Sequence, residues 1–283
     1  MSANSLLLTA TAHPRDSAGL TYVYPVVSRR AGGVSIGINL NPNNACNWRC
    51  IYCQVPGLSR GGPPPINLEL LNAELHHFLG EVINGDFMSR CVPAEARRLM
   101  DLAFSGNGEP TSAAEFAAVV ELAANALVCY GLQDKVILRL ITNGSLMGRS
   151  RVQEGVACLG RHGGEVWFKV DGVTPAALMR INSTRSSRDT LGHHLQKCAE
   201  LCTTWIQTCV FTLDGQLPDE RETDAYVNFL AGFAGRIAGV LIYPLARPSL
   251  QPEANRLGQP PVSWINALAT RLKESGLTVR VSP

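Results

Sequence analysis

The sequence predicts an α/β protein built around a mainly parallel sheet. Short apolar segments rich in β-branched or aromatic residues recur along the chain, and segments with apolar residues at helical spacing lie between them. Parallel neighbours need such crossover connections, so the alternation indicates a parallel arrangement. With 283 residues, 46% of them hydrophobic, the chain is long enough to bury a substantial core.

Six strands are expected. In chain order they cover residues 34–40, 100–104, 136–141, 165–170, 206–213 and 239–243. Ligand sites of parallel sheets gather at the carboxyl ends of the strands. The loops that follow these six segments are therefore where we expect functional residues.

Two helices are expected between the early strands. The first runs from near residue 67 to near residue 85, with leucine, phenylalanine and valine at helical spacing. The second opens with a capping box made by Ser112 and Glu115. It ends at Gly131, because glycine often follows the last residue of a helix.

The chain divides into an N-terminal extension or hairpin, residues 1–33, and a core of residues 34–283. The core is expected to end with a helix at residues 261–276 and a short strand at residues 277–281. The loop at residues 57–65 falls inside the first crossover, and no internal repeat or low-complexity tract divides the chain further.

Charge and cysteine content narrow the classes of function. The formal charge of +2 indicates a nearly balanced surface, whereas dedicated nucleic-acid binders are usually more basic. No apolar run is long enough to span a membrane, and residues 6–8 are too short for a signal-peptide core, so we expect a cytoplasmic protein. Nine cysteines in that reducing compartment favour metal ligands, catalytic groups or buried side chains over disulfides.

The segment CNWRCIYC, residues 46–53, places Cys46, Cys50 and Cys53 at C-x3-C-x2-C spacing after the first expected strand. A structural zinc site usually has four ligands in two pairs, and no second C-x2-C pair occurs in the chain. Iron–sulfur clusters are normally held by four thiolates. Three thiolates therefore suggest a cluster in which one iron is left for a substrate or cofactor.

With the aromatic Tyr52, this loop resembles the signature of the radical S-adenosylmethionine (radical SAM) enzymes. The resemblance implies a partial TIM-type (β/α)6 barrel in which Cys46, Cys50 and Cys53 bind a [4Fe-4S] cluster. S-adenosyl-L-methionine (SAM) then chelates the remaining iron. It also implies reductive cleavage of SAM to a 5′-deoxyadenosyl radical that abstracts hydrogen from a substrate, and a reductant such as flavodoxin or ferredoxin.

A second motif, FSGNGEPT at residues 104–111, follows the second expected strand. It resembles the glycine-and-glutamate motif of the same family. This implies contacts with the methionine amino group of SAM from the segment Gly106, Asn107, Gly108 and Glu109. Asn107 departs from the glycine that many members have there. A polar turn before a helix is the alternative interpretation.

Polar residues at further strand ends complete the predicted site. The resemblance implies that Lys169 pairs with the methionine carboxylate, that Asp171 accepts a hydrogen bond from the ribose, and that Tyr243 borders the adenine. Thr142 and Asn143 are assigned to the same mouth of the barrel. Alternatively, the K-x-D pair only ends a strand with a local ion pair.

Three further cysteines leave a question open. Cys198 and Cys202 are expected on one face of a helix and Cys209 on a strand. They either bind an auxiliary cluster or are buried core residues. The chain after Cys209 contains no cysteine, which favours the core interpretation.

The motifs do not determine the substrate. SGNGEP, KVDG, QT and YPLARP are similar to the branch with tRNA-wyosine synthases and glycyl-radical activating enzymes. Both tRNA modification and protein activation stay open, with a small molecule, a peptide or RNA as substrate. Arg180, Arg185 and Arg188 form either a phosphate-binding loop or a solvated one. The competing class is a non-catalytic scaffold that binds zinc or a cluster.

Overall fold

The computed structural model describes residues 7–9, 18–28 and 31–282. The other residues of the predicted N-terminal extension, and Pro283, lie outside the described part. Within that part, none of the helices combines the length and apolarity needed to cross a membrane. The division of the chain at residue 33 stays a prediction.

The described residues form strands and helices with the following bounds. The strands are β1 (Val23–Ser28), β2 (Gly33–Ile38), β3 (Ala45–Cys46), β4 (Ser59–Arg60), β5 (Leu99–Phe104), β6 (Ile137–Thr142), β7 (Glu165–Lys169), β8 (Thr203–Val210), β9 (Thr212–Leu213), β10 (Gly239–Pro244), β11 (Leu257–Gly258) and β12 (Val279–Val281). The helices are α1 (Leu68–Ile83), α2 (Phe87–Cys91), α3 (Phe116–Cys129), α4 (Ser150–Arg161), α5 (Pro175–Asn182), α6 (Arg188–Leu201), α7 (Glu220–Ala231) and α8 (Val262–Glu274).

The main sheet follows the order β1-β2-β5-β6-β7-β8-β10-β12. β1 pairs antiparallel with β2, and the other neighbouring pairs are parallel. The parallel strands β2, β5, β6, β7, β8 and β10 match the six expected from the sequence, and helices connect them. The predicted α/β fold with a partial TIM-type (β/α)6 barrel is confirmed.

Side chains of the strands alternate between the helix side and the lumen of the sheet. Leu102, Phe104 and Phe168 face the helices and are fully buried in one large core with α1, α3, α4, α6, α7 and α8. Truncating such a phenylalanine to alanine destabilises comparable cores by about 3–5 kcal/mol. This packing holds the strands in register and leaves the lumen side for polar groups.

Charged side chains close the lumen at the amino ends of the strands. Arg139 on β6 forms ion pairs with Asp101 on β5 and with Glu165 on β7, the latter over 2.8 Å. Its guanidinium carbon lies 4.2 Å from the centroid of the Trp167 ring, and the Ser35 hydroxyl donates to Asp101. This ion network forms the floor of the barrel, so the carboxyl ends form its mouth.

The fifth expected strand, residues 206–213, is shorter in the structure than predicted at its carboxyl end. Pairing in the main sheet stops at Val210, and β9 pairs instead with β11. Phe211 stays buried because it packs against Tyr52 at the mouth. The apolar pattern therefore continues beyond the end of the strand, and pattern alone does not locate that end.

The capping box predicted at the start of the second helix is wrong. Ser112 donates its hydroxyl to the backbone carbonyl of Glu109, 2.6 Å away, within a 3-10 turn at Pro110–Ser112. Proline presets the backbone for such a turn, and α3 begins only at Phe116. The end of that helix is as predicted, since Gly131 follows it with φ +64°.

Candidate functional site

The three cysteines of the C-x3-C-x2-C loop lie at the mouth of the barrel. Cys46, Cys50 and Cys53 are half-buried free thiols. They line one cavity of about 270 Å³ together with Lys169 of β7 and Tyr243 of β10. The fold thus brings a short loop and two distant strand ends to the same space.

The last turn of α5 holds the cysteine loop in place. The backbone N–H of Arg49 donates to the carbonyl of Asn182 over 3.2 Å, and that of Ile51 donates to the carbonyl of Ile181 over 2.9 Å. Ser183, in the left-handed conformation with φ +51°, donates its hydroxyl to the Arg49 carbonyl over 3.1 Å. The sequence analysis missed this contact because the two segments lie far apart in the chain.

Asn182 is fully buried and contacts a cysteine directly. Its Nδ2 donates to Cys50 Sγ over 3.3 Å and to Asp171 Oδ2 over 3.1 Å. Asp171 also accepts the hydroxyl of Tyr52 and the backbone N–H of Cys209, the latter over 3.0 Å. Three protein donors therefore hold the Asp171 carboxylate, which ties the cysteine loop to β8.

Glycines bring the loop after β5 against the start of the cysteine loop. A Cβ at Gly108 would lie 2.1 Å from the carbonyl oxygen of Ala45, and one at Gly106 would lie 2.3 Å from Asn39 Oδ1. Gly106 also has φ +153°, a conformation that favours glycine. Asn107 donates its backbone N–H to Asn39 Oδ1 over 3.0 Å. The two glycines are thus required by close approach of two loops.

Glu109 links the loops after β5 and β6. Its side chain is 2% exposed, and its Oε1 accepts the Thr111 hydroxyl and the Thr142 hydroxyl, each over 2.6 Å. Its Oε2 accepts the backbone N–H of Asn143 over 2.7 Å. A carboxylate oxygen accepts about two hydrogen bonds, so Oε2 keeps acceptor capacity where Glu109 lines the cavity.

A network of asparagine side chains joins the cysteine loop to these two strand ends. Asn47 donates to the Ser145 hydroxyl over 2.7 Å and accepts from Asn143 over 2.9 Å. Asn107 Nδ2 donates to Asn44 Oδ1 over 2.7 Å. Sequence reasoning missed the network, although its signal was present: residues 39–47 contain five asparagines.

Burial shapes the protonation of the thiols. It raises the pKa of Cys50 to about 12, with the charge of Asp171 acting in the same direction and that of Lys169 opposing it. Burial also raises the pKa of Cys46 to about 11. Both thiols are therefore neutral at pH 7 until a metal displaces their protons.

Lys169 provides a fixed positive charge at the mouth. Burial acts to lower its pKa, but the acidic groups of Tyr243, Cys50 and Asp171 outweigh burial and raise the pKa. Its Nζ lies 5.5 Å from the centroid of the Tyr52 ring. The cavity therefore contains a charged ammonium group close to the cysteine loop.

The structure brings most of the predicted site residues to this cavity. Those lining it are Cys46, Cys50, Tyr52, Cys53, Gly106, Asn107, Gly108, Glu109, Asn143, Lys169 and Tyr243. Thr142 lies behind Glu109 with 1% of its surface exposed. Asp171 lines a second cavity of about 360 Å³, which β8 shares with α7 and α8.

The other cysteines are not gathered at one place. Cys198 and Cys202 join the core on the helix side of the sheet, whereas Cys209 lines the lumen. Cys202 also lies beyond the end of α6 with extended backbone, so the prediction that Cys198 and Cys202 share one helix face is wrong. One cluster cannot contact all three, because β8 separates them.

Two of the three arginines in the predicted phosphate-binding loop make intramolecular contacts. Arg180 forms an ion pair with Glu222 over 2.6 Å. The guanidinium carbon of Arg188 lies 5.7 Å from the centroid of the Phe229 ring. Arg185 is exposed. These contacts favour the interpretation as an ordinary surface loop.

Comparison with known proteins places the fold. No protein-family model and no curated protein matches the chain. The radical SAM methyltransferase from Sphaerobacter thermophilus is similar in structure, with 13% identity and a TM-score of 0.54 over 92% of this chain and 68% of that one. Histidine-tagged anSMEcpe with bound AdoMet has 16% identity and a TM-score of 0.52, covering 87% of this chain and 64% of the other.

A third similar structure is a domain of pyruvate-formate lyase-activating enzyme from Bacteroides vulgatus. It has 14% identity and a TM-score of 0.45, covering 65% of this chain and 99% of that domain. At these identities the likeness concerns the fold. The resemblance predicted from the cysteine loop is confirmed at that level: the chain has the fold of the radical SAM superfamily.

Proposed function

We propose that the chain is a radical SAM enzyme in which Cys46, Cys50 and Cys53 hold a [4Fe-4S] cluster and SAM binds its remaining iron. The observation that carries this proposal is the convergence of the three thiols and the Lys169 ammonium on one cavity at the mouth of the barrel. When bound and reduced, the cluster supplies the electron that cleaves SAM to methionine and a 5′-deoxyadenosyl radical. The protein's own groups orient the cofactor and exclude water.

The spread of the thiols supports a cluster rather than a single zinc ion. Among the described residues, Glu121, Cys158 and His162 are the group of three metal-ligating side chains whose donor atoms all lie within 4.8 Å of one another. Cys46, Cys50 and Cys53 do not form such a group, so at least two of their sulfur atoms lie more than 4.8 Å apart. Tetrahedral zinc with Zn–S bonds near 2.3 Å would hold its sulfur ligands about 3.8 Å apart.

The contacts around the cavity support a specific assignment for the SAM ends. We assign the methionine carboxylate to Lys169, because a half-buried ammonium group that lines the cavity favours an anionic partner. We assign the methionine ammonium to Glu109 Oε2 and to the backbone carbonyls beside Gly106 and Gly108. Tyr243 borders the adenine. The contact of Asp171 with the ribose stays a prediction. The Asp171 carboxylate accepts hydrogen bonds from Tyr52, Asn182 and the backbone N–H of Cys209, which supports a positioning role for Tyr52 and Asn182.

The electron donor, the cellular setting and the class of substrate are also proposals. An oxidoreductase of this type needs a one-electron donor, such as flavodoxin or ferredoxin, and we propose a cytoplasmic setting in which such donors occur. A small molecule, a peptide and RNA are all retained as substrate classes. One of the similar structures is named a methyltransferase, but at 13% identity that name does not select a reaction for this chain.

The proposal is tested by anaerobic reconstitution with iron and sulfide, followed by dithionite and SAM. The wild-type protein should bind four irons and four sulfides per chain and form 5′-deoxyadenosine. Replacing Cys46, Cys50 and Cys53 by alanine should abolish both. Cys129→Ala is the matched control, because Cys129 is an exposed free thiol outside the cavity.

The competing scaffold predicts a different result in the same assay. A zinc scaffold would contain one zinc and no labile sulfide, and a structural cluster would be present without SAM binding or 5′-deoxyadenosine. Either result in the wild-type protein would overturn the enzymatic proposal.

A further inference from the structure

One buried polar side chain in the lumen has no role in the site described so far. Gln207 lies on β8, where it pairs in register with Lys169 on β7 and with Leu241 on β10. Side chains alternate along a strand. The neighbouring Thr208 faces α7, where its hydroxyl contacts that of Tyr226, whereas Cys209 lines the mouth. Gln207 therefore faces the lumen.

Within the described part of the chain, both ends of the Gln207 amide lack a hydrogen-bond partner. The residue is 1% exposed, and no described residue is bonded to its Nε2 or its Oε1. The same side chain lines the cavity that contains the three thiols. Buried polar groups are almost always hydrogen-bonded, and exceptions concentrate where a ligand completes the bonding. The amide is thus a site that the fold itself leaves incomplete.

The register of the strands sets the level of Gln207 in the barrel, beside Lys169 on one side and Leu241 on the other. Cys209 and Tyr243, which are paired in register, lie one step nearer the mouth. Trp167 and Trp205, which pair in register, lie one step nearer the floor and form an apolar cluster with Leu241. Gln207 therefore lies below the proposed adenine position at Tyr243 and beside the proposed position of the methionine carboxylate, with the closed end of the lumen beneath it.

We propose that Gln207 binds the substrate through a planar edge that carries a carbonyl oxygen beside an N–H, as in primary amides and in the lactam edge of nucleobases. A primary amide presents one donor and one acceptor side by side, so only an edge of this kind satisfies both. A carboxylate would leave Oε1 unpaired, and an ammonium would leave Nε2 unpaired. The inference rests on the proposed function, because it makes this group part of the molecule attacked by the radical.

The stability of Gln207→Met tests whether the fold needs this amide. Methionine has nearly the same shape and removes both polar ends, so the melting temperature should be equal to or higher than that of the wild type. Thr208→Val is the matched control on the same strand. Its hydroxyl is bonded to the Val170 carbonyl over 2.9 Å, so its loss should lower the melting temperature. A lower melting temperature for Gln207→Met would overturn the proposal.

Binding of small probes tests the chemistry of the edge. Acetamide and uracil are offered to the reconstituted protein with SAM, and saturation-transfer NMR measures their affinity. At least one of them should bind about tenfold more weakly to Gln207→Met, whereas methyl acetate, which lacks the N–H, should not distinguish the two proteins. Preference for acetamide indicates a primary carboxamide, and preference for uracil indicates a nucleobase.

Equal binding of both probes to wild type and Gln207→Met would overturn the inference about Gln207. The proposed function fails by a different result, the absence of 5′-deoxyadenosine from wild-type protein without any probe. The two failures are therefore distinguishable.

Discussion

The floor and the mouth of the barrel use charged residues in opposite ways. At the floor, Arg139 is paired with both Asp101 and Glu165, so each of these charged groups has a partner within the protein. At the mouth, three thiols and Lys169 face a common cavity. The paired charges of the floor therefore stabilise the fold without a ligand, whereas the groups at the mouth suit a metal and an anion.

Breaking the floor should have the largest effect on folding. Arg139→Met leaves the buried carboxylate of Asp101 and the half-buried one of Glu165 without their cation, and we expect the free energy of unfolding to fall by about 3–5 kcal/mol. Urea denaturation measures this change. Arg221→Met, at an exposed position on α7, should change stability by less than about 0.5 kcal/mol. A loss at Arg139 as small as that at Arg221 would contradict a floor held by ion pairs.

Removing the charge at the mouth should instead affect binding. In Lys169→Met we expect SAM to bind roughly 30-fold more weakly or worse, because a buried charge pair with the methionine carboxylate is lost. Calorimetry on reconstituted protein measures the affinity. The control is Lys197→Met, which removes an exposed lysine paired with Glu200 on α6. Unchanged SAM affinity in Lys169→Met would show that this lysine does not bind SAM and has a structural role, like the charged residues of the floor.

Filling the space between the two loops at the mouth should lower cluster content. The methyl group of Gly108→Ala would lie 2.1 Å from the Ala45 carbonyl oxygen, so the cysteine loop must shift. We expect destabilisation of about 1–3 kcal/mol and less iron per chain after reconstitution. Gly62→Ala is the matched control, since a Cβ there meets nothing within 4 Å. Full iron content in Gly108→Ala would contradict a tight contact.

Removing the hydrogen bond to Cys50 should have the smallest effect. Hydrogen bonds to cluster sulfurs stabilise the more negative, reduced form, so Asn182→Ala should lower the reduction potential of the cluster. An anaerobic redox titration followed by electron paramagnetic resonance measures it. Asn228→Ala, at an exposed position on α7, should leave the potential unchanged. An unchanged or higher potential in Asn182→Ala would show that this N–H does not act on the cluster.

Sequence reasoning located the elements of the fold well where the signal was local. The first helix was expected to start near residue 67, and α1 begins there, with the Asn67 side chain accepting the N–H of Leu70 as its cap. The capping box at Ser112 was wrong because Ser112 belongs to a separate 3-10 turn, where its hydroxyl donates to the Glu109 carbonyl. Local patterns therefore predict an element, but a neighbouring acceptor decides how it begins.

Part of the candidate site was predicted from the sequence because its signals are also local. The spacing of the cysteines and the glycine motif could be read directly, and the loops that carry them meet at the mouth. Asn182 and Gln207 were missed, since neither belongs to a motif. Asn182 contacts Cys50 across 132 positions of the chain. Gln207 matters because its amide has no hydrogen-bond partner among the described residues.

By itself, the sequence determined the strand and helix alternation and the spacing of the three thiols, because periodicity and ligand spacing are properties of neighbouring residues. Only the tertiary structure decided which amides brace the cysteine loop, which carboxylates are already occupied, and which buried amide is left for a ligand. The physical reason is that hydrogen bonds are short and directional. They depend on where distant segments meet, and that is determined by the packing of the whole barrel.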